Sequence, residues 1–501
     1  MALTCINLIL KPHESFFRMK PRLLISLLAA STLAGGCTVW PEYLRPTIET
    51  PAAYKEAKAY PGWKVAEPGD QKAGGAWWKV YDDAQLDSLL TDAANANHSI
   101  QQAEARYRQA EALSRVARAS LFPSLTGNAA ATRSQRSGTS SGSGKTAQPA
   151  PQNSYNLGVT AGWEVDLWGR IKNGIESGDA TLAANAADLN AAILSVQTTV
   201  AQDYFQLRIL DSQFKLLNDT ADAYEKSLKL TNNRYAVGLA SRTEIAQAET
   251  QLRTTRAQAI DINAQRAQLE HAIAVLIGLA PADFSLPPMP LAYDANFKLP
   301  DTPASLPSEL LERRPDIAAA ERRAAAANAQ IGIAKAALFP SLTLGATLGF
   351  QSSSLSNLFS VPSRIWSLGP ELALSIFDGG QRKGQTDAAI AAYDLSVSVY
   401  KQTVLDGFQE VEDNLASLRI LEDEFKEQQA AVRFARESLQ QTDNRYKAGT
   451  VDYLSVVIVQ TTALTAERNA LTLLGRRLTA SVGLIKALGG NPDISGTKPA
   501  N

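Results

Sequence analysis

Few residues of this sequence could carry catalytic or metal-binding chemistry. The 501 residues include only three histidines and two cysteines. Neither an H-E-x-x-H nor a G-x-x-x-x-G-K-[ST] pattern occurs. GGQRKG at 379–384 approaches a phosphate loop but lacks the Lys-Ser/Thr ending, so we interpret it as the turn that starts a helix. The pattern predicts a protein that is not an enzyme and holds no metal or cofactor.

Two segments combine a glycine with ionisable side chains in the same order. They are NRYAVGLASRTEI at 233–245 and NRYKAGTVDYL at 444–454. A long helix that reverses within a few residues needs a positive φ, which glycine adopts without steric cost. We therefore predict tight turns between long helices. The residues of interest there are Arg234, Tyr235, Gly238, Arg445, Gly449 and Asp452.

The N-terminus is typical of an exported protein. A basic segment at 19–22 precedes the apolar run 23–30 and the letters STLAGGC, as in a secretory signal peptide. We expect Cys37 to become the acylated, palmitate-carrying first residue of a lipoprotein. Ala34 stands where a large aliphatic residue is usual, so an unlipidated or structural cysteine is the alternative.

The chain carries an internal duplication. LFPSLT occurs at 121–126 and at 338–343, and LRIL occurs at 207–210 and 418–421. LRIL and the NRY turns repeat after 211 residues, whereas LFPSLT repeats after 217. The six additional residues are expected in the low-complexity stretch at 137–154. A constant offset over so much of the chain indicates duplication.

Six segments follow from this pattern. Each repeat runs helix, β-hairpin and long helical hairpin, with β-hairpins at about 124–168 and 341–377 and helical tips near 238 and 449. The segments are a signal peptide (1–36), a lipid-anchored equatorial segment (37–82), a first repeat (83–280), a Pro-rich connector (281–308), a second repeat (309–490) and a C-terminal tail (491–501).

Apolar and polar residues alternate where the strands are expected. Every odd-numbered residue of YNLGVTAGWEVDL at 155–167 is apolar, and residues 342–350 and 366–376 repeat the pattern. Period two with one apolar face is typical of a strand, and about ten residues is the length of a transmembrane β-strand. Surface hairpins packed on a soluble core are the alternative.

The helices are expected to be very long. No proline occurs between Pro151 and Pro281, and a helix over about 171–235 would be roughly 100 Å long at 1.5 Å per residue. Apolar residues follow a three-four spacing on one side, from Leu207 through Leu228 to Tyr235. This spacing predicts coiled-coil packing along a shared seam.

Four strands per chain cannot close a barrel. An open sheet edge is not tolerated in a bilayer, because its N–H and C=O groups find no water there. The barrel must therefore be shared between copies, with eight strands in a dimer or twelve in a trimer.

An ordered set of motifs now resembles a known family. The motifs are CTVWPEYLRP after the signal, LFPSL before strands, WEVDLWGR at 163–170, RRPDI at 313–317 and the paired NRY turns. Together they resemble the TolC-like outer-membrane efflux channels (outer membrane factors). Among these they are most similar to the OprM-like lipoprotein subgroup of resistance-nodulation-division efflux systems.

The resemblance implies an α+β membrane channel that assembles as a homotrimer. A 12-stranded β-barrel in the outer membrane would continue into a 12-helix periplasmic α-barrel with a mixed equatorial region. The implied partners are outer-membrane lipid, a periplasmic membrane-fusion adaptor, which the tips would dock, and an inner-membrane resistance-nodulation-division transporter. A net charge of −1 gives no indication of nucleic-acid binding.

The resemblance also implies a gate. In the family, an acidic residue beside a threonine on one hairpin holds a tyrosine on the other and keeps the pore shut. The matching residues are Thr243, Glu244 and Tyr446, and we expect the Tyr446 hydroxyl to donate to Glu244. Two solvated residues near a turn are the alternative. A basic latch residue of the family falls at Val451 and an acidic one at Ile458, where an apolar ring could close the pore by dewetting.

These observations predict a passive outer-membrane exit duct of a tripartite efflux pump for drugs and other small toxic compounds. A copper or silver efflux channel and a protein secretion duct are alternatives within transport. A lipid-anchored periplasmic coiled-coil scaffold is an alternative of another class, against which the alternating strands argue.

Overall fold

The computed structural model describes residues 42–51, 54–56, 76–135, 137, 150–291 and 313–490. The expected signal peptide, Cys37, most of the Pro-rich connector and the C-terminal tail lie outside the described residues. The chain divides into two compact units, of which one contains residues 119–174 and 329–388. The other contains residues 43–118, 175–328 and the described part of the segment that starts at 389.

From the 22-residue helix onward, the two repeats have the same order of helices and strands, and their helices match in length. Corresponding helices contain 22, 67 and 35 residues in both repeats. The helices are α1 Ala84–Ala96, α2 His98–Ala119, α3 Arg170–Ala236, α4 Arg242–Leu276, α5 Pro315–Ala336, α6 Gln381–Lys447 and α7 Tyr453–Ala487. The strands are β1 Ser124–Ser134, β2 Gln152–Val165, β3 Ser341–Ser352 and β4 Arg364–Ala373. The helices that the structure describes include none that is long and apolar enough to span a membrane.

The four strands form one antiparallel sheet in the order β1-β2-β3-β4. The register pairs Leu157 with Phe350 and Val159 with Leu348, and it pairs Leu348 in turn with Trp366. Directly paired residues lie on the same face of a sheet. The alternating apolar residues therefore collect on one face across β2, β3 and β4. Within the described residues, β1 and β4 are each paired along one side only.

The apolar face of the sheet is open to its surroundings. The exposed fractions of Trp366 and Leu368 are 75% and 77%. The opposite face carries small and polar residues, including the cross-strand row Thr160, Thr347 and Ser367. Hairpins packed on a soluble core would bury their apolar side, so the exposed face favours a sheet that meets an apolar medium.

Helices α2 and α5 start at equivalent positions with different caps. Asn97 Oδ1 accepts a hydrogen bond from the Ser99 amide at 2.8 Å, and Asn97 Nδ2 donates to the Leu276 carbonyl at 2.7 Å. Asn97 therefore caps α2, and Ser99 is the second residue of the helix. In the second repeat, Arg314 holds the position of Asn97 and donates to the Ala487 carbonyl.

A buried charge cluster fixes the chain that follows α4. Arg208 and Asp211 of α3 are almost fully buried and form an ion pair at 2.9 Å, and Arg266 of α4 contacts the same carboxylate at 2.7 Å. The Pro287 carbonyl accepts a hydrogen bond from Arg208, and the Met289 amide donates one to Asp211. Buried charges need partners to be stable; these are paired except at Arg208 Nε, and they join two helices to the connector.

Gly349 in β3 lies too close to the backbone of β2 to carry a side chain. A Cβ atom there would lie 2.5 Å from the Leu157 carbonyl oxygen and 2.8 Å from Gly158 Cα, whereas a Cβ at Gly369 would meet nothing within 4 Å. Gly349→Ala is expected to destabilise the sheet by roughly 1–3 kcal/mol, the usual effect of overpacking. Gly369→Ala is the matched control. Thermal unfolding of detergent-purified protein, followed by circular dichroism, would contradict this if both variants melted alike.

Candidate functional site at the helical tips

The two long helical hairpins reverse with the same turn. Gly238 and Gly449 have φ values of 76° and 75°. In the first turn the Gly238 amide donates to the Tyr235 carbonyl at 2.9 Å, and the Leu239 amide donates to the Arg234 carbonyl at 2.8 Å. The second turn repeats both bonds after Gly449. This Schellman pattern satisfies the last helical carbonyls, so each tip is a defined turn and not a frayed end.

The return helices start with side-chain caps. Ser241 and Glu244 form a capping box, in which each side chain accepts a hydrogen bond from the backbone amide of the other residue at 3.2 and 3.1 Å. Asp452 accepts hydrogen bonds from the amide and hydroxyl of Ser455 at 3.0 and 2.6 Å. These bonds lower the pKa of Asp452 below its ordinary value. The Glu244 side chain is thus fixed by the Ser241 amide at the start of its own helix.

Tyr446, the last but one residue of α6, is 1% exposed. Its hydroxyl shares a hydrogen bond with Thr231 Oγ1 at 3.2 Å and donates to Glu244 Oε2 at 3.4 Å. Arg234 donates to the Tyr446 carbonyl at 2.6 Å, and its guanidinium lies 4.6 Å from the ring centroid. The Tyr453 ring packs edge-on at 5.4 Å.

The surroundings of Tyr446 keep its hydroxyl protonated. Burial raises the pKa of Tyr446 above its ordinary value, and the Glu244 carboxylate raises it further, whereas Thr231 and the Arg234 guanidinium lower it. A protonated hydroxyl can donate to a carboxylate, which is a stronger bond than one between two neutral groups. The site therefore holds the end of α6 to the end of α3 and the start of α4.

The structure brings some of the predicted residues together and leaves others apart. Glu244, Tyr446 and Arg234 meet in one cluster, which also includes Thr231. Sequence reasoning missed Thr231, although its recurrence at the same place before each NRY turn was a usable signal. Thr243 is exposed and lies outside this cluster.

Tyr235 is exposed, although its spacing predicts that it lies in the buried apolar seam of α3. Its exposed fraction is 46%, against 1% for Tyr446, its counterpart in the second repeat. Arg445 and Asp452 are exposed around the second turn. The first tip thus presents an aromatic side chain, and the second presents charges.

Helix α7 is largely buried but keeps one exposed stripe. Ile458, where the family has an acidic residue, is 57% exposed. It lines a shallow groove with Thr462, Thr465 and Asn469, which are also exposed. Sequence reasoning found Ile458 but not the hydroxyl and amide groups that follow it. The stripe offers uncharged polar groups along one wall.

No group of three or more histidine, cysteine, aspartate or glutamate side chains that could hold a metal ion occurs among the residues that the structure describes. At the tips, Arg234 contacts the Tyr446 carbonyl and ring, Glu244 accepts from the Tyr446 hydroxyl, and Asp452 accepts from the Ser455 amide. These contacts hold the two hairpins together, and a binding partner could replace them with hydrogen bonds of its own.

The chain matches a family model described as outer membrane efflux protein, over residues 89–279 and 306–490. It is 33% identical over 468 residues to the pyoverdine export outer membrane protein OpmQ of Pseudomonas aeruginosa, covering 93% of this chain and 96% of OpmQ. It is 31% identical over 471 residues to the toluene efflux pump outer membrane protein TtgC of Pseudomonas putida, covering 93% and 95%.

A solved structure of the outer-membrane channel OprN superposes with a TM-score of 0.83 at 29% identity. The match covers 91% of this chain and 99% of OprN. Sequence and structure thus agree over nearly the whole length, and the matched segments contain both helical tips and all four strands. The chain therefore belongs to the outer membrane efflux protein family and is an outer-membrane efflux channel.

Proposed function

We propose that this channel is the passive, trimeric exit duct of a tripartite pump that expels small toxic organic compounds. The observation that carries the proposal is the two-faced sheet, whose apolar face is exposed while its other face is polar. A strand set with this alternation suits lipid on one side and a water-filled lumen on the other. Acylation of Cys37 would add a lipid anchor.

The two free sheet edges support assembly from several copies. Strands β1 and β4 lack a second partner among the described residues, and a bilayer offers no water to satisfy their backbone groups. Pairing β4 of one copy with β1 of the next satisfies both edges. Three copies would supply twelve strands and, from α3, α4, α6 and α7, twelve long helices.

The Tyr446 cluster is proposed as the resting latch of the pore. It joins the second hairpin to the first through Thr231, Glu244 and Arg234. Releasing these bonds would free the end of α6 to move away from α3. The exposed Ile458 side chains of three copies would add an apolar constriction that excludes water.

The exposed tip residues are proposed as the docking surface for a periplasmic adaptor. In a single chain Tyr235, Arg445 and Asp452 are accessible there, and Gly238 and Gly449 shape the turns. Arg234 differs from the rest, because it already lies on the Tyr446 ring. An adaptor that engaged Arg234 would therefore loosen the latch. An inner-membrane transporter of the resistance-nodulation-division type would supply the energy.

The stripe on α7 supports organic cargo. Threonine and asparagine side chains can exchange hydrogen bonds with passing solutes and carry no fixed charge. Copper and silver ions favour thiolate, thioether and imidazole ligands, none of which lines the groove at Ile458. Copper or silver export, protein secretion and a periplasmic scaffold are the competing functions that the first experiment separates.

The cargo prediction compares a strain that lacks the gene with its complemented parent. We expect a fluorescent dye and a fluoroquinolone to accumulate in the deletion strain, and the gene to restore their efflux. Intracellular dye, drug and copper are measured in parallel. A rise in copper alone would assign the channel to metal export. No rise in any of the three would contradict small-molecule efflux and leave secretion or a scaffold role.

The latch prediction uses purified channels in planar bilayers. Tyr446→Phe removes the hydroxyl but keeps the ring under Arg234, and Glu244→Ala removes the carboxylate. A buried hydrogen bond contributes roughly 1 kcal/mol net, which corresponds to about a fivefold shift toward the open pore. We expect both variants to raise mean single-channel conductance, and the double variant to add little to either.

Ser241→Ala is the matched control for Glu244→Ala. It removes the capping box of α4 but leaves both latch groups in place, so its conductance should stay near that of the native channel. An unchanged conductance in the Glu244→Ala, Tyr446→Phe double variant would contradict the latch. Equal effects of Ser241→Ala and Glu244→Ala would assign the result to the helix start instead.

A further inference from the structure

Three residues of α3 form the socket that holds the second hairpin. Thr231 shares a hydrogen bond with the Tyr446 hydroxyl, and Arg234 covers the Tyr446 ring. One turn earlier, Ser227 donates to the Tyr453 hydroxyl at 3.5 Å. The spacing of four and three residues places all three side chains on one face of the helix.

The same three residue types recur on α6 at the repeat offset. SLKLTNNRYAVG at 227–238 corresponds to SLQQTDNRYKAG at 438–449, so Ser438, Thr442 and Arg445 match the α3 socket. Their burial differs, however. Thr231 is fully buried, whereas Thr442 is half-buried and both Ser438 and Arg445 are exposed. The second socket is therefore present but not filled by its own chain.

The tyrosine that would fill the second socket is also unmatched. Tyr235 of α3 corresponds to Tyr446 of α6 and is 46% exposed. Its hydroxyl forms no side-chain hydrogen bond to any residue that the structure describes. One chain thus contains two such tyrosines and two such sockets, but only one of the two pairs is joined.

We infer that Tyr235 of each copy inserts into the Ser438–Thr442–Arg445 socket of the neighbouring copy. The inference rests on the proposed assembly of copies into a closed ring. In such a ring every first hairpin has a second hairpin on each side, one from its own chain and one from its neighbour. A contact between different surfaces of identical copies closes when the rotation completes a ring. The duplicated sequence then supplies the same tyrosine–socket contact at both seams between hairpins, the one within a chain and the one between neighbouring copies.

The two seams differ in one respect. Glu244, which accepts a hydrogen bond from Tyr446, corresponds to Ser455 in the second repeat. The Tyr235 hydroxyl would therefore meet the neutral hydroxyls of Thr442 and Ser455, since the nearby Asp452 carboxylate already accepts hydrogen bonds from Ser455. Hydrogen bonds to a carboxylate are stronger than those between neutral groups. The seam between copies is accordingly the weaker of the two and the first to part when the tips open.

The test links cysteine pairs with a short bismaleimide in whole cells. A direct disulfide requires Cβ atoms within about 4.5 Å, which is too close for positions joined through a tyrosine hydroxyl. Tyr235→Cys with Thr442→Cys should give covalent dimers and trimers on a denaturing gel. The matched control, Tyr446→Cys with Thr231→Cys, should link within one chain and leave a monomer of altered mobility. Each single variant controls for reaction with Cys37.

Covalent oligomers from the Tyr235–Thr442 pair, with monomer alone from the control pair, support the inference. Monomer alone from both pairs would overturn it, provided that a lysine-reactive linker still captures trimers. Failure of that linker as well would remove the assembly on which the inference rests. Linking of Thr442→Cys to an adaptor would assign the socket to that partner instead. Efflux by the native gene is scored separately, so loss of the export function is distinguishable.

A double-mutant cycle gives a second measurement without cysteines. Tyr235→Phe and Thr442→Val remove one hydrogen-bonding group each from exposed or half-buried positions. Both should lower the temperature at which purified trimers dissociate, and the double variant should fall no further than the stronger single variant, because residues in contact are not additive. Strictly additive shifts would overturn the contact.

Discussion

The unpaired edges of the four-stranded sheet constrain everything else in this molecule. A lone chain leaves the outer sides of β1 and β4 without partners among the described residues, and the bilayer in which we propose that the sheet lies offers no water as a substitute. An assembly of copies removes both problems at once. In the proposed assembly the helical hairpins recur together with the strands, and the tips then meet neighbouring copies as well as their own chain.

Because of the duplication, each half of the chain supplies one β-hairpin and one long helical hairpin. Helices α3 and α6 have equal lengths, and so do α4 and α7, so each tip lies the same number of residues from the start of its hairpin. Length is conserved between the halves because a mismatch of one turn would displace a tip by about 5.4 Å. Side chains were free to diverge within that frame. Tyr446 is buried with a carboxylate acceptor, while its counterpart Tyr235 is exposed.

Local patterns were sufficient for the elements but not for their partners. The absence of proline and the three-four spacing anticipated α3 within about one residue at each end, and period two anticipated the apolar face of β2. Spacing also placed Tyr235 in a buried seam, because periodicity records which side of a helix is apolar and not which neighbour covers it. The cap at Asn97 is local, but its second bond, to the Leu276 carbonyl, lies far along the chain, where no local pattern predicts it. The Glu244–Tyr446 pair came from family resemblance alone.

The interactions along the long helices differ in strength between the buried charge cluster and the helical tips. Arg208, Asp211 and Arg266 form a nearly complete buried charge cluster, and breaking such a cluster costs several kcal/mol. Tyr446 lies at the far end of α6, where its carbonyl accepts a hydrogen bond from Arg234 at 2.6 Å and its hydroxyl makes contacts of 3.2 and 3.4 Å. Hydrogen bonds of that length are individually modest. The proposed opening of the latch therefore breaks contacts at the tips and leaves the charge cluster intact.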